Sequence, residues 1–232
     1  NIIHQILEIF IQQNPKFIPD NAEEKLLQIG RDVFGNGIEN PGIWAFWWPK
    51  FERIAKWFID EEKTRRYLIE KSFTELEGSI TFESEGGKFT LSAKADRLDL
   101  YKDGTLNIID YKTGSPPNEK EIIAGYSPQM PLEACIAHAG GFKEFGPRDI
   151  KNIEFWRLKG TVPAGEIKAP VKDIEKIMEG ALDGVKALVR TFDRIETPYT
   201  ARPNPDEKLN KYSEYGHLAR VKEWSSAGSE DE

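Results

Sequence analysis

Cysteine is almost missing from this chain: Cys135 is the only one in 232 residues. An internal disulfide is therefore excluded, and so is a four-cysteine zinc or iron–sulfur site within the chain. That usage points to a reducing, cytoplasmic setting. Long apolar runs are missing too, so no membrane-spanning helix is expected. No signal-peptide pattern is visible, and the first residue is Asn1 rather than methionine, which suggests a piece of something longer. Positive charge is in deficit, with 32 Lys and Arg against 39 Asp and Glu and a net charge of −7. Such a balance does not advertise nucleic-acid binding. Any contact of that kind has to come from local basic patches or from a partner. A phosphate-binding loop is absent as well. Gly86-Gly87-Lys88 lacks both the earlier glycine and the following Ser or Thr, so ATP hydrolysis is not expected.

What is present is a chain with 39% hydrophobic residues, enough for one large domain or two small ones. Ile2 to Ile11 has helical spacing, with His4, Leu7 and Ile11 on one stripe. Asn40-Pro41 caps an aromatic helix carrying Trp44, Trp47 and Trp48, which Pro49 should kink or restart. Phe51 to Leu68 continues it. The tryptophans, Trp57 included, read as core rather than as base-stacking platforms. From Lys71 the period changes to that of strands. Phe73 to Leu76, Ile80 to Glu83 and Lys88 to Tyr101 are expected to pair antiparallel, with turns at Gly78 and Gly86-Gly87. Thr105 to Lys112 adds a further strand. Asn118 with Glu121 forms a capping-box pattern, and Gln129 to His138 a helix stopped by Gly140-Gly141. Asn152 to Leu158 reads as a strand and Val171 to Phe192 as a long amphipathic helix. This order predicts an α+β or mixed α/β fold, a central mixed sheet flanked by helices, and not a doubly wound nucleotide fold.

Two short segments carry the chemistry: Ala95-Asp96-Arg97-Leu98-Asp99 and Ile108-Ile109-Asp110-Tyr111-Lys112-Thr113-Gly114. Lys102-Asp103-Gly104 between them fits a three-residue hairpin loop with glycine in the left-handed position. That loop pairs Tyr101 with Thr105, Leu100 with Leu106, Leu98 with Ile108, and Asp96 with Asp110. Like charges opposite each other are destabilising. Either one carboxylate is protonated or a cation lies between them, and oxygen ligands suit Mg²⁺ or Mn²⁺ better than zinc. Lys112 shares Asp110's face. Two acids with such a lysine are what a metal-dependent phosphodiesterase needs. Asp99 falls on the opposite face, and Glu75 and Glu77 read as solvated strand residues.

The ordered set resembles the PD-(D/E)XK nuclease superfamily, in its RecB-type branch. Most of all it resembles the C-terminal nuclease domains of AddB-type subunits in their alphaproteobacterial form. The matching segments are Ile3-His4-Gln5, Ala95 to Asp99, Asp110 to Gly114, Pro128-Gln129-Met130-Pro131-Leu132-Glu133-Ala134, and His217 to Ser225. The resemblance implies a restriction-endonuclease-like core over residues 1–200, a C-terminal extension packed on it over 201–224, and a disordered tail over 225–232. It implies His4, Asp96 and Asp110 as metal ligands for Mg²⁺, with Mn²⁺ able to substitute. Lys112 would polarise the attacking water, and Gln129 would contact DNA or support the site. The family's Q-x-x-x-Y pattern is broken here, because position 133 is glutamate; Tyr126 is a candidate substitute. No iron–sulfur cluster is implied, since that variant needs four cysteines. The implied activity is cleavage of one DNA strand as it emerges from an AddA-type helicase–nuclease partner, during double-strand break resection for recombinational repair in a bacterial cytoplasm. Two rivals stay open: a catalytically silent DNA-end-binding or scaffolding domain, and a stand-alone exonuclease of the CRISPR-associated type.

Overall fold

The computed structural model describes residues 2–37 and 41–199. Helices α1 (Ile2–Gln13), α2 (Ala22–Gly37) and α3 (Pro41–Arg65) come first. Strands β1 (Ile69–Ser84), β2 (Gly87–Tyr101) and β3 (Leu106–Lys112) follow, then α4 (Glu119–Ile123) and α5 (Gln129–His138). Strands β4 (Ile150–Leu158) and β5 (Gly165–Lys168) and helix α6 (Ile174–Phe192) complete the order. The five strands form one mixed sheet in the order β1-β2-β3-β4-β5, with β3 and β4 parallel and every other pair antiparallel. The expected extension and tail beyond residue 200 lie outside the described residues.

Alternation along β3 divides the molecule into two apolar layers. Ile109 and Tyr111 pack with Trp156 and Leu158 against α1, α2 and α3. Leu106 and Ile108 pack with Leu98, Ile153 and Phe155 against α4, α5 and α6. Each fully buried side chain of this size contributes about 1.5–3 kcal/mol relative to exposure. The expected hairpin register is present: Leu98 pairs with Ile108 and Leu100 with Leu106. Tyr101 N–H donates to Thr105 O at 2.9 Å, and Gly104 takes φ +85°.

Three expectations are corrected. Gly78 is not a turn, because β1 runs through it without a break from Ile69 to Ser84. A Cβ there would lie 2.5 Å from the Phe142 ring, so glycine marks close packing rather than a bend. Pro49 neither ends nor restarts its helix, since α3 continues across it. Trp44 and Trp48 stack at 4.6 Å just before it and Phe51 packs on Trp48 just after, so tertiary contacts hold the segment together on both sides. Finally, Trp47 is 41% exposed, not core, whereas Trp44, Trp48 and Trp57 do pack on the first apolar layer.

A fully buried ion network lies on the α1–α3 face. Arg97 grips Asp99 with two bonds, Nε to Oδ1 at 2.8 Å and Nη2 to Oδ2 at 3.0 Å. Its Nη1 also donates to Glu62 Oε1 at 2.6 Å and to the Tyr111 hydroxyl at 3.2 Å. Ser72 Oγ donates to Asp99 Oδ1 at 2.6 Å, and Arg66 bonds both Ser72 and Glu62. The Arg97 guanidinium lies 5.6 Å above the Trp156 ring. Asp99 and Glu62 together hold Arg97 charged despite burial. This network ties α3 to β1, β2 and β3 directly beneath the strand segments that carry the acids.

Candidate active site

The β2–β3 ladder ends at the Arg97–Ile109 pair, one step short of the two acids. Beyond it Asp96 leaves the ladder, and its Oδ2 accepts from the Tyr111 N–H at 3.1 Å. The carboxylate thus takes a backbone donor that a regular strand would have used. A bend in β1 accompanies this. Glu75, at the position opposite Asp96, has φ +52° and drops out of the pairing between Thr74–Arg97 and Leu76–Ala95. Strict alternation fails in both strands here: Phe73 and Leu76 join the same apolar layer, as do Ala95 and Leu98. Asp96 is brought towards α1 by that break. His4 Nδ1 lies 3.5 Å from Asp96 Oδ2, and its ring meets Tyr111 edge-on at 5.8 Å.

Asp110 is 3% exposed and projects from β3 on the α4–α6 side. Lys112, two residues on and on the same face, places its Nζ 2.9 Å from each Asp110 oxygen. Only the contact with Oδ1 has hydrogen-bond geometry; Oδ2 is buried without a hydrogen-bond partner. Burial pushes the Asp110 carboxyl up to about 6, with Asp96 adding to the rise and Lys112 opposing it. Burial lowers the His4 pKa, against the pull of Asp96, which favours a neutral imidazole. Its Nε2 is buried with no hydrogen-bond partner.

The residue that sequence reasoning passed over is Glu133. It is 1% exposed in α5, and Gln129 Nε2, one turn earlier, donates to its Oε1 at 3.0 Å. Burial pushes its carboxyl up to about 8, and the charges of Asp110 and Asp96 add to that rise. Gln129 therefore does not cap α5, whose N-cap is Pro128; it orients Glu133 towards the two aspartates' field. The signal was available: Glu133 is the one acid in the otherwise apolar run Met130 to Ala137. Tyr126 lies in the turn before α5 and is 58% exposed.

Among the described residues, no three His, Cys, Asp or Glu side chains stand gathered around a cation position. The donor set nevertheless suits a hard cation. Asp110 Oδ2 and His4 Nε2 are buried without a hydrogen-bond partner, the charge of Asp96 adds to the rise in the Asp110 pKa, and the Lys112 ammonium rests against Asp110. An ammonium on the carboxylate is what an unscreened acid in such a pocket attracts.

A model of the PD-(D/E)XK nuclease superfamily matches residues 1–215. An uncharacterized protein of Rickettsia bellii is 26% identical over 234 residues, covering 94% of this chain and 27% of that protein. An uncharacterized protein of Rickettsia conorii, RC0550, is 30% identical over 246 residues, covering 95% of this chain and 29% of that protein. The chain spans less than a third of the length of these curated relatives. The crystal structure of SSO0001 aligns over 80% of this chain and 73% of its own at 11% identity and a TM-score of 0.33, a likeness that carries no argument. The mixed sheet flanked by helices, with the acid-x-lysine pair at the end of β3, agrees with the family match over nearly the whole chain, and the chain belongs to the PD-(D/E)XK nuclease superfamily.

Proposed function

We propose that this domain is a Mg²⁺-dependent deoxyribonuclease of the AddB type, cutting one DNA strand delivered by an associated helicase subunit during resection of double-strand breaks. The observation that carries the reading is the Asp110–Lys112 pair: a buried carboxyl held up to about 6, with an ammonium 2.9 Å away on the same strand face. The net charge of −7 supports dependence on a partner for engaging DNA. The matched relatives carry this region as 27–29% of their length, which fits a nuclease module within a larger subunit.

Asp96 and Asp110 would hold the cation, with His4 as a nitrogen donor at the rim. A cation held there would supply a lowered pKa for water and a counter-charge for phosphate oxygens. The Tyr111 N–H fixes Asp96, so that carboxylate is oriented before any ligand arrives. Lys112 is 35% exposed at its side chain, so its ammonium reaches from Asp110 to the solvent side, where it orients water and neutralises charge developing on the phosphate. Glu133, buried beside the two aspartates and held up to about 8, would stay protonated near neutral pH and so would add no charge to the pair that holds the cation.

The test is degradation of end-labelled single-stranded DNA by the intact protein, with Mg²⁺ and with excess chelator. Cleavage should require the metal. Lys112→Ala should lower the rate by about 10²–10⁴-fold while DNA stays bound, and Lys112→Arg should not restore it, because a planar guanidinium is no substitute for a compact charge. A Lys112→Ala protein that cuts at near the wild-type rate, beside a dead Asp110→Ala, would refute the assigned role. No cleavage by the wild type under any divalent metal would leave the silent DNA-binding domain as the better reading.

A further inference from the structure

We infer that α3 carries a stacking platform for unpaired bases, joined to the Asp110–Lys112 pair by a short cationic path across the ends of β3 and β4. The inference rests on the nuclease reading and adds where the strand runs. Its starting point is the parallel register, which sets Arg157 beside Lys112. Arg157 bonds Ser115 Oγ at 3.2 Å through Nη2, while its Nε is buried with no hydrogen-bond partner. Lys159 follows two residues on, paired at 2.7 Å with Glu166. The chain then turns at Gly160 directly onto α3. Arg53 Nε donates to Gly160 O at 2.7 Å, and a Cβ on Gly160 would lie 2.7 Å from Lys50 Cβ.

From Lys50 the path meets aromatic rings. Lys50 Nζ lies 3.7 Å from the Phe46 ring centroid and 4.9 Å from that of Trp47. Phe46 is 60% and Trp47 41% exposed. Their neighbours Trp44 and Trp48 turn inward on Phe34, so the apolar core already has its share of this helix, and the outward pair is surplus to packing. With one interstrand step of about 4.8 Å, about 3.3 Å per strand residue and about 5.4 Å per helical turn, the rings stand roughly 20 Å along the path from Lys112. That is the length of about six stacked nucleotides. Aromatic faces interleaved with cations, in an otherwise acidic protein, suit a single strand: the rings take bases of any sequence and the cations follow the phosphates. A duplex offers no free base faces to such rings.

The experiment uses the intact protein carrying Asp110→Asn, which blocks cutting, and compares binding of a fluorescein-labelled 20-nucleotide oligothymidylate with a blunt duplex of equal length. Phe46→Ala/Trp47→Ala should weaken single-strand binding about tenfold or more and leave duplex binding unchanged. Lys50→Glu should weaken it and flatten its salt dependence. In Asp110→Asn alone, the strand should quench tryptophan fluorescence, and Trp47→Phe should remove most of that quenching. Unchanged single-strand affinity in the double variant overturns the platform while leaving the nuclease reading intact. Unchanged affinity together with altered sedimentation assigns the patch to a protein contact, and also overturns it. Failure of the Asp110→Asn parent to bind the single strand at low salt overturns the platform as well; absence of metal-dependent cleavage by the wild type is what brings down the nuclease reading.

Discussion

Glu133→Gln should make this protein more stable at alkaline pH and leave it nearly unchanged at pH 5. Glutamine keeps the size of the side chain and its bond to Gln129, and removes only the charge. The wild-type carboxyl titrates at about 8 in the folded protein, against an ordinary value of 4.5. Between those two values the folded state binds a proton that the unfolded state has already released. Unfolding free energy therefore falls as pH rises through that window, and the contribution is complete only below it. At about 1.4 kcal/mol per tenfold change in proton affinity, the loss by pH 9 has an upper limit of roughly 5 kcal/mol. Burial is the main cause of the rise, and because the Asp110 and Asp96 charges add to it the titration is shared, so the expected gap lies below that limit. A gap of about 2–3 kcal/mol corresponds to roughly 5–10 °C in Tm for a domain of this size. Thermal melts of wild type and variant in chelator, from pH 5 to pH 9, measure it directly. The two curves should coincide near pH 5 and separate steadily above it. Asp110, held up to about 6, contributes its own decline to both proteins, and because its charge bears on Glu133 the difference is read above about pH 7, where Asp110 is already ionised. A difference that is flat across the range would show that Glu133 is not held neutral by the pocket, and the account of the site's charge would fail with it.

Removing Arg97 should be far more damaging than removing Lys112. Arg97→Met removes the fully buried partner that Asp99 and Glu62 share and leaves them only Arg65, 3.4 Å from Asp99, and Arg66 on Glu62, at a cost of about 3 kcal/mol in urea unfolding; a loss below about 1 kcal/mol would mean the network carries no such charge. Mg²⁺ or Mn²⁺ at saturating concentration should raise the melting temperature of the wild type, by the linkage between binding and folding, and should do so much less in Asp110→Ala. Equal shifts in the two proteins would place any bound cation elsewhere.

The hairpin was legible because three local signals agree there: alternating apolar residues, glycine where φ must be positive, and acids that break the pattern only at its far end. The bounds of α5 were legible because the glycines at 140 and 141 stop it. Other features depend on distant partners. Gly78 looks like a turn until Phe142, from a loop after α5, is seen lying against it. Pro49 looks like a break until the stacked tryptophans are counted. Helix α2, with Ala22, Leu26 and Phe34 buried, and the short strand β5 were passed over. At the site, Asp110 and Lys112 follow from alternation alone. The direction of Asp96 does not, because its departure from the ladder depends on the bend at Glu75 in the neighbouring strand. Glu133 reaches the pocket only through the packing of α5 on the sheet. Asp99 was set on the face opposite Asp96 and left out of the site; it lies in the buried ion network, and nothing local announced that Arg97 and Ser72 would meet it there.

The buried ion network also guards against slippage. In a β-ladder, a shift of one residue exchanges the two faces of a strand. Were β2 to slip by one against β3, Arg97 and Asp99 would turn into the apolar layer under α5, and Leu98 would face Glu62. The bidentate grip of Arg97 on Asp99, closed by Glu62 from α3 and the Tyr111 hydroxyl from β3, makes that misalignment cost several buried charges at once. The same five-residue segment thus sets the cleft on one side and proofreads its alignment on the other. Substitutions at these two neighbours should therefore part by readout: Asp96→Ala is expected to lower cleavage with little change in melting temperature, and Arg97→Met to lower the melting temperature.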